Sequence, residues 1–351
     1  MKYIKKTIKI LGLILLILFL IFLLILGFLW ISEYRPNEVE DLPVYSQTDK
    51  ALAKNSNLKV MTWNIGYAGL DKDTDFFMDG GQMVFPIDKD HVGIALNSIL
   101  DQIEKENSDF NLIQEIDEDS KRTFGMNQVE FFSNALSGDS TFAYNYKVNF
   151  VPFPFPPLGK INSGIFTQSK YDIKSASRYQ QPIPHKFPIR LANLKRAFMP
   201  AYIPIEDTDK KLILINVHLD AYESGNGGRL AQSKQIIDFA RNLYRQGHYV
   251  LIGGDFNQEL REGIKTEENQ FWNPSTFPFS ILEDDFEIIY ADNASTSRVN
   301  NAPYIKGKNP EHIIDGFIVS KNIKVNKIEV KDLSFKDSDH NPVVMEFNLL
   351  D

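Results

Sequence analysis

The sequence predicts an α/β fold set behind a single membrane-spanning helix. Three observations lead there. Ile10 to Ile31 is an apolar run of 22 residues interrupted only by Gly12 and Gly27. Beyond it, short apolar runs alternate with stretches of helical periodicity. Those short runs end, one after another, in a polar side chain able to do chemistry. With 351 residues and 43% hydrophobic content, the chain can bury one large α/β domain or two smaller ones, and it is not a disordered protein. It has no cysteine, which excludes disulfides, thiolate metal sites and a cysteine nucleophile. His, Asp, Glu and Asn remain for metal or acid–base work.

The first run, at about 1.5 Å per residue, spans roughly 33 Å, enough for a bilayer core. Its length and the lack of a small-residue cleavage site favour a retained anchor over a cleaved signal peptide. Lys2, Lys5, Lys6 and Lys9 precede it, while Glu33, Glu38, Glu40 and Asp41 follow. The positive-inside rule therefore puts residues 1–9 in the cytoplasm, the span at 10–31, and the rest outside the cell membrane. The net charge is −8, and setting aside those four lysines leaves −12 for everything after the run. So acidic a body is a poor general binder of nucleic acid backbone, although metal ions or a local basic cluster could offset the average. Residues 32–57 are polar, contain Pro36 and Pro43, and read as a linker that lifts a domain at 58–351 off the membrane.

Leu58 to Ile65 alternates as a strand and places Asn64 at its end. His91 to Lys105 carries Val92, Ile94, Ala95, Ile99 and Ile103 at helical spacing. Asp109 to Glu115 is a second strand ending in a carboxylate. Phe150 to Leu158 holds four prolines and cannot be a central strand. It reads either as a hydrophobic lip for lipid or as a loop packed over the core. Asn162 to Thr167 and Ile173 to Ser177 suggest strands. Lys186, Arg190, Lys195 and Arg196 form the densest basic segment of the domain, facing either phosphate or solvent. Leu212 to Asp220 is a buried strand ending in His218 and Asp220, and Arg229 to Tyr244 an amphipathic helix. Val250 to Gln258 stops at Gly253-Gly254 and delivers Asp255 and Asn257, which alternate along an extended backbone and so point the same way. There the glycines permit close approach of a substrate or a metal-bound phosphate. Glu311 to Ser320 brings Asp315, and Ser338-Asp339-His340-Asn341-Pro342 leads into the last strand, Val343 to Phe347.

Taken singly, each of these polar residues is a modest signal: Asn64 could cap a turn, Glu115 is more often a solvated turn residue, His218 more often a satisfied structural residue, and an Asp-His pair is common. Their shared placement at strand ends is what builds a common cleft from residues distant in sequence.

In this order the motifs Trp63-Asn64-Ile65, Gln114-Glu115, Asn162-Ser163-Gly164 with Ser169-Lys170-Tyr171, Asn216-Val217-His218-Leu219, Gly254-Asp255-Phe256-Asn257, Ile314-Asp315 and Ser338-Asp339-His340-Asn341-Pro342 resemble the endonuclease/exonuclease/phosphatase superfamily. Its members include DNase I-like nucleases, inositol polyphosphate phosphatases and neutral sphingomyelinases. The resemblance implies a four-layer α/β/β/α sandwich of two mostly antiparallel sheets with the site at one end. It further implies that Glu115, assisted by Asn64 and Asp339, holds Mg²⁺ or Mn²⁺ through hard oxygen ligands. His340 would be the general base, oriented by Asp315. Asp255 and Asn257 would position water and the phosphoryl group, and His218 would stabilise charge on its oxygens. The substrate expected is a phosphoester, with a phospholipid favoured by the anchor, the acidic body and the aromatic-proline ribbon. A DNase I-like nuclease is the alternative within this chemistry, and a non-catalytic surface-binding protein the alternative outside it. No obligate protein partner is implied.

Overall fold

The computed structural model describes residues 2–54, 56–222, 228–264 and 272–350. Helix α1 (Lys2–Ile31) runs unbroken from the basic N-terminus through the apolar run. It is long and apolar enough to cross a membrane. Fourteen strands then build two sheets: β1 (Val39–Leu42), β2 (Val44–Tyr45), β3 (Leu58–Asn64), β4 (Phe110–Asp117), β5 (Asp139–Val151), β6 (Gly159–Ser169), β7 (Ser175–Gln180), β8 (Ala197–Pro204), β9 (Lys211–His218), β10 (Tyr249–Asp255), β11 (Phe286–Ile289), β12 (Asp315–Ser320), β13 (Ile323–Val330) and β14 (Val343–Leu349). One sheet has the order β1-β7-β8-β9-β10-β12-β11 and the other β13-β14-β3-β4-β6-β5-β2. Within them only β9/β10 and β3/β4 are parallel pairs.

Alternation along the strands divides the core into three layers. Leu214, Leu251 and Phe317 of the first sheet meet Val60, Leu112 and Met345 of the second between the sheets. The opposite face of the first sheet, with Ile213, Ile215, Val250 and Ile252, is covered by Ile236, Ile237 and Ala240 of α4 (Gly228–Arg245). The opposite face of the second, with Met61, Trp63 and Ile113, is covered by Val92, Ile99 and Ile103 of α2 (Lys89–Glu106) and by Val129 and Phe132 of α3 (Gln128–Ala135). Helix, sheet, sheet, helix is the order of layers.

The stretch read as a linker is part of the folded body. Strand β1 pairs with β7 and β2 with β5, adding one edge strand to each sheet. Leu52 is fully buried in the inter-sheet core, and the Asp139 carboxylate accepts the Gln47 and Thr48 backbone N–H groups at 2.7 and 3.0 Å. The prolines and scattered acids hid edge strands too short to show periodicity. A fragment starting at Leu58 is therefore expected to be at least about 2 kcal/mol less stable than one starting at Ser32, the cost of vacating a core leucine site. Equal denaturant midpoints for the two fragments would contradict this.

Gly253 and Gly254 serve packing rather than substrate approach. A Cβ on Gly253 would lie 2.7 Å from Leu112 of the facing sheet. One on Gly254, at φ +152°, would lie 2.0 Å from the Val217 carbonyl oxygen on the neighbouring strand. Gly254→Ala is expected to cost about 3 kcal/mol. A change under 1 kcal/mol by denaturant titration would show that the strands part more easily than their packing implies.

Candidate active site

The site follows from strand parity. On β9, β10 and β12 the residues facing the second sheet include Leu214, Leu251 and Phe317, so His218, Asp255 and Asp315, an even number of residues away, point the same way. Register sets the three side by side, Asp255 being opposite His218 on β9 and opposite Asp315 on β12. On the second sheet Val60 and Leu112 face inward, and parity carries Asn64 and Gln114 to that face too. Glu115 would then point outward. A β-bulge between Gln114 and Ile116 and a left-handed backbone at Glu115, φ +51°, re-aim it into the site.

At the centre, His340 Nδ1 bonds Asp315 Oδ2 at 2.8 Å. Its Nε2 faces the cavity, 3.3 Å from Ser297 Oγ and 3.8 Å from Asp255 Oδ2. Asn64 Nδ2 donates to Asp255 Oδ2 at 3.0 Å and to Glu115 Oε1 at 3.3 Å. His218 Nε2 lies 3.4 Å from Asp255 Oδ2 and 3.8 Å from Glu115 Oε1. The Asp339 carboxylate is held by Asn300 Nδ2 and Ser338 Oγ. Trp63 Nε1 fixes the His340 carbonyl at 2.9 Å, and Ser338 Oγ bonds the Asn64 carbonyl at 2.8 Å. These two bonds tie the final loop to the end of β3.

The electrostatics are those of a concentrated acidic cluster. Burial, with Asp339 adding to it, raises the Glu115 carboxyl despite nearby Arg122. Burial and then the Asp315 charge push Asp255 up to about 7. For His340 burial works downward, but Asp315 and Asp255 overcome it and lift the imidazole to about 10, so that it is protonated in the metal-free protein and becomes a base only where added positive charge offsets those carboxylates. His218 has no such offset; burial and the Arg196 charge hold it well below its ordinary value, neutral.

This donor set fits a hard divalent cation. Glu115 keeps about a quarter of its side chain exposed, and among the described residues its side chain accepts only the long hydrogen bond from Asn64, poor compensation for a carboxylate beside two others. Glu115 and Asp339 are the fitting pair. Asn64 turns its NH₂ group, not its oxygen, toward the carboxylates, the oxygen accepting the Gly66 N–H at 3.0 Å. A ligand role for that oxygen would require the amide to turn over. A second group, Asp255, Asp315 and His340, has donor atoms within 4.8 Å of one another. Its 2.8 Å His–Asp bond suits an acid–base pair better.

Two sequence expectations, for Asn257 and for the basic segment, change in detail. Asn257 does not continue the strand; β10 stops at Asp255, and Asn257 has φ +49°. Its backbone N–H bonds Asp255 Oδ1 at 2.8 Å and its Nδ2 the Leu219 carbonyl at 2.9 Å, so it locks the loop while still bordering the cavity. Gln114 and Asn216 bond each other between the sheets at 2.8 Å beneath the site. They are structural members of their motifs. Of the basic segment, Arg190 and Lys195 pair with Glu33 and Arg196 with Asp220.

Sequence reasoning left out Ser297, Asn300 and Tyr67, which sit in irregular segments without periodicity. Arg122 was given no role either. It forks onto Asp117 at 2.9 and 3.0 Å and stacks 3.6 Å from the Tyr67 ring at the cavity wall. Only its nearness to Glu115 in the chain could have signalled it.

No family model matches the chain, and no curated protein matches it by sequence. Solved structures do. An endonuclease/exonuclease/phosphatase from Beutenbergia cavernae superposes over 84% of this chain and 72% of its own, at 17% identity and a TM-score of 0.58. The chain has the endonuclease/exonuclease/phosphatase fold. A mannosyl-6-phosphatase from Bacteroides thetaiotaomicron covers 83% of this chain and 99% of its own at 17% identity and a TM-score of 0.53. The human Nocturnin catalytic domain with bound sulfate covers 88% and 97% at 14% identity and 0.52. In this endonuclease/exonuclease/phosphatase fold, Glu115, His218, Asp255, Asp339 and His340 line one cavity, with Asn64 bonded to Asp255 and Glu115 and Asp315 bonded to His340 behind them.

Proposed function

We propose that the chain is a membrane-anchored, divalent-metal-dependent phosphoester hydrolase that works by direct attack of water. The observation that carries this is the buried Asp315–His340 pair, whose Nε2 faces the cavity 3.3 Å from Ser297 Oγ and 3.8 Å from Asp255, beside the Asn64–Glu115 contact. Likeness to a mannosyl-6-phosphatase and to a sulfate-bound catalytic domain supports it.

In this reading Glu115 and Asp339, with Asn64 if its amide turns, hold Mg²⁺ or Mn²⁺, which when bound neutralises phosphoryl and leaving-group charge. Asp255 orients the water. His340 Nε2 takes its proton as the new P–O bond forms and the ester P–O bond breaks, then returns it to the leaving oxygen. Asp315 holds the imidazole so that Nε2 faces the water, and it stabilises the imidazolium. His218, neutral, donates to a phosphoryl oxygen, with Asn257 beside it. Helix α1 anchors the chain, and its basic end places the catalytic domain outside the cell membrane.

Single-turnover hydrolysis of bis-p-nitrophenyl phosphate in ¹⁸O water tests the mechanism on the full chain in detergent micelles. The product is expected to carry one ¹⁸O on phosphorus; label in the nitrophenol instead would rule out attack at phosphorus.

A further inference from the structure

We propose that α1 is a wall of the active site as well as an anchor, and that the site takes its phosphoester sideways from the outer leaflet, as an amphiphile whose aliphatic chain lies against α1. This rests on the hydrolase reading above. The cavity, about 720 Å³, extends from Asp255 and His340 to the last turns of α1, where Phe22, Ile25, Leu26 and Leu29 line it. Their spacing is that of a single helix face.

Depth decides what reaches that face. With the lysines at one interface, a hydrocarbon core of about 30 Å takes roughly 20 residues, which brings the span's far end to about Leu29–Ile31. Phe22 then lies about 14 Å below that end, near the middle of the bilayer. The helix side of the cavity therefore opens among acyl chains.

The opposite wall is apolar as well, through Phe77, Met78, Phe153 and Leu158. Beside the mouth, Phe153 is 69% and Phe155 94% exposed, and Phe187 and Ile189 are also exposed. Such a rim is costly in water and at rest in lipid. The acid–base pair lies at the end holding Asp255 and His340, and the lining elsewhere includes polar Asn145, His185 and Asn193.

The placement of α1 is locked. Glu33, two residues past the helix, has a buried carboxylate bonded to Arg35 at 3.0 Å and Lys195 at 3.3 Å, with Arg190 at 3.6 Å. Arg190 lies in the turn Ile189–Ala192, whose Ile189 lines the same cavity. A nucleic acid or free sugar phosphate would leave both apolar walls unfilled. A diacyl phospholipid and a polyprenyl phosphate share the needed chemistry, a phosphoester joined to a long aliphatic chain.

The test uses the full chain in nanodiscs with Mg²⁺. Diacyl phospholipids of several headgroups and a polyprenyl phosphate are compared with their deacylated or chain-free esters, and with bis-p-nitrophenyl phosphate. For at least one headgroup, kcat/KM is expected to be 100-fold or more higher with the chain. Leu26→Asn combined with Phe153→Asn is expected to shrink that ratio at least tenfold. A phospholipid with a diazirine in its tail, photolysed with EDTA present, is expected to label Met78 or Phe153. Equal use of chain-bearing and chain-free esters, or labelling confined to Ile10–Ile21, would overturn the inference while leaving the hydrolase reading intact. Failure to hydrolyse any ester, bis-p-nitrophenyl phosphate included, would overturn both.

Discussion

His340→Ala is expected to lower kcat/KM for bis-p-nitrophenyl phosphate by about 10³-fold, within the range of a general base removed from a site that keeps its other groups. His340 Nε2 is the one ring nitrogen of the dyad left facing the cavity, because Asp315 occupies Nδ1 at 2.8 Å. Truncation also strips Asp315 of a partner, and its Oδ1 already has none, so a stability loss of about 1–3 kcal/mol should accompany it. A merely structural histidine would produce only that second effect. The two are separated by adding Asp315→Asn. If the residues act as one unit, the double variant is no slower than His340→Ala alone. Multiplying rate losses would contradict the dyad.

Glu115→Gln is expected to raise the Mg²⁺ concentration for half-maximal activity by about 100-fold or more, since it removes an anionic ligand and keeps the shape. It should do so without loss of stability in EDTA. The partly buried carboxylate, pushed upward by desolvation and by Asp339, is an electrostatic burden on the metal-free protein, and a neutral amide relieves it. Unchanged metal dependence would move the cation to other oxygens, with Asp255 the next to test. A fall in thermal midpoint would mean that Glu115 supports the fold.

Much of this site was legible in the chain because its chemistry sits at the ends of strands that are buried on both faces and read as apolar runs. His218 and Asp255 close such runs and Asp315 opens one, and register sets the three side by side. The helices α2 and α4 were equally plain, each with one apolar face. What escaped has physical causes. Strand β5 is irregularly buried in its second half, β8 holds Pro200 and Pro204, which disguise a strand, and β1 and β2 are edge strands of four and two residues, too short for a period to emerge. Glu115 reaches the site through a bulge, which breaks the alternation that predicts side-chain direction. Asn257 was assigned to an extended run, but left-handed backbone there ends the strand. The joining of α1 to the cavity depends on Glu33 meeting Lys195, a pairing 162 residues apart that no local pattern contains.

The central claim is that these strand ends form a metal-dependent hydrolytic site. It is tested most directly by incubating the full chain with bis-p-nitrophenyl phosphate in Mg²⁺, in Mn²⁺ and in EDTA. Hydrolysis is expected with either metal, abolished by EDTA and restored when metal is returned. No hydrolysis with any divalent metal, or hydrolysis indifferent to EDTA, would contradict it, the first outcome leaving a surface-binding protein built on a hydrolase fold.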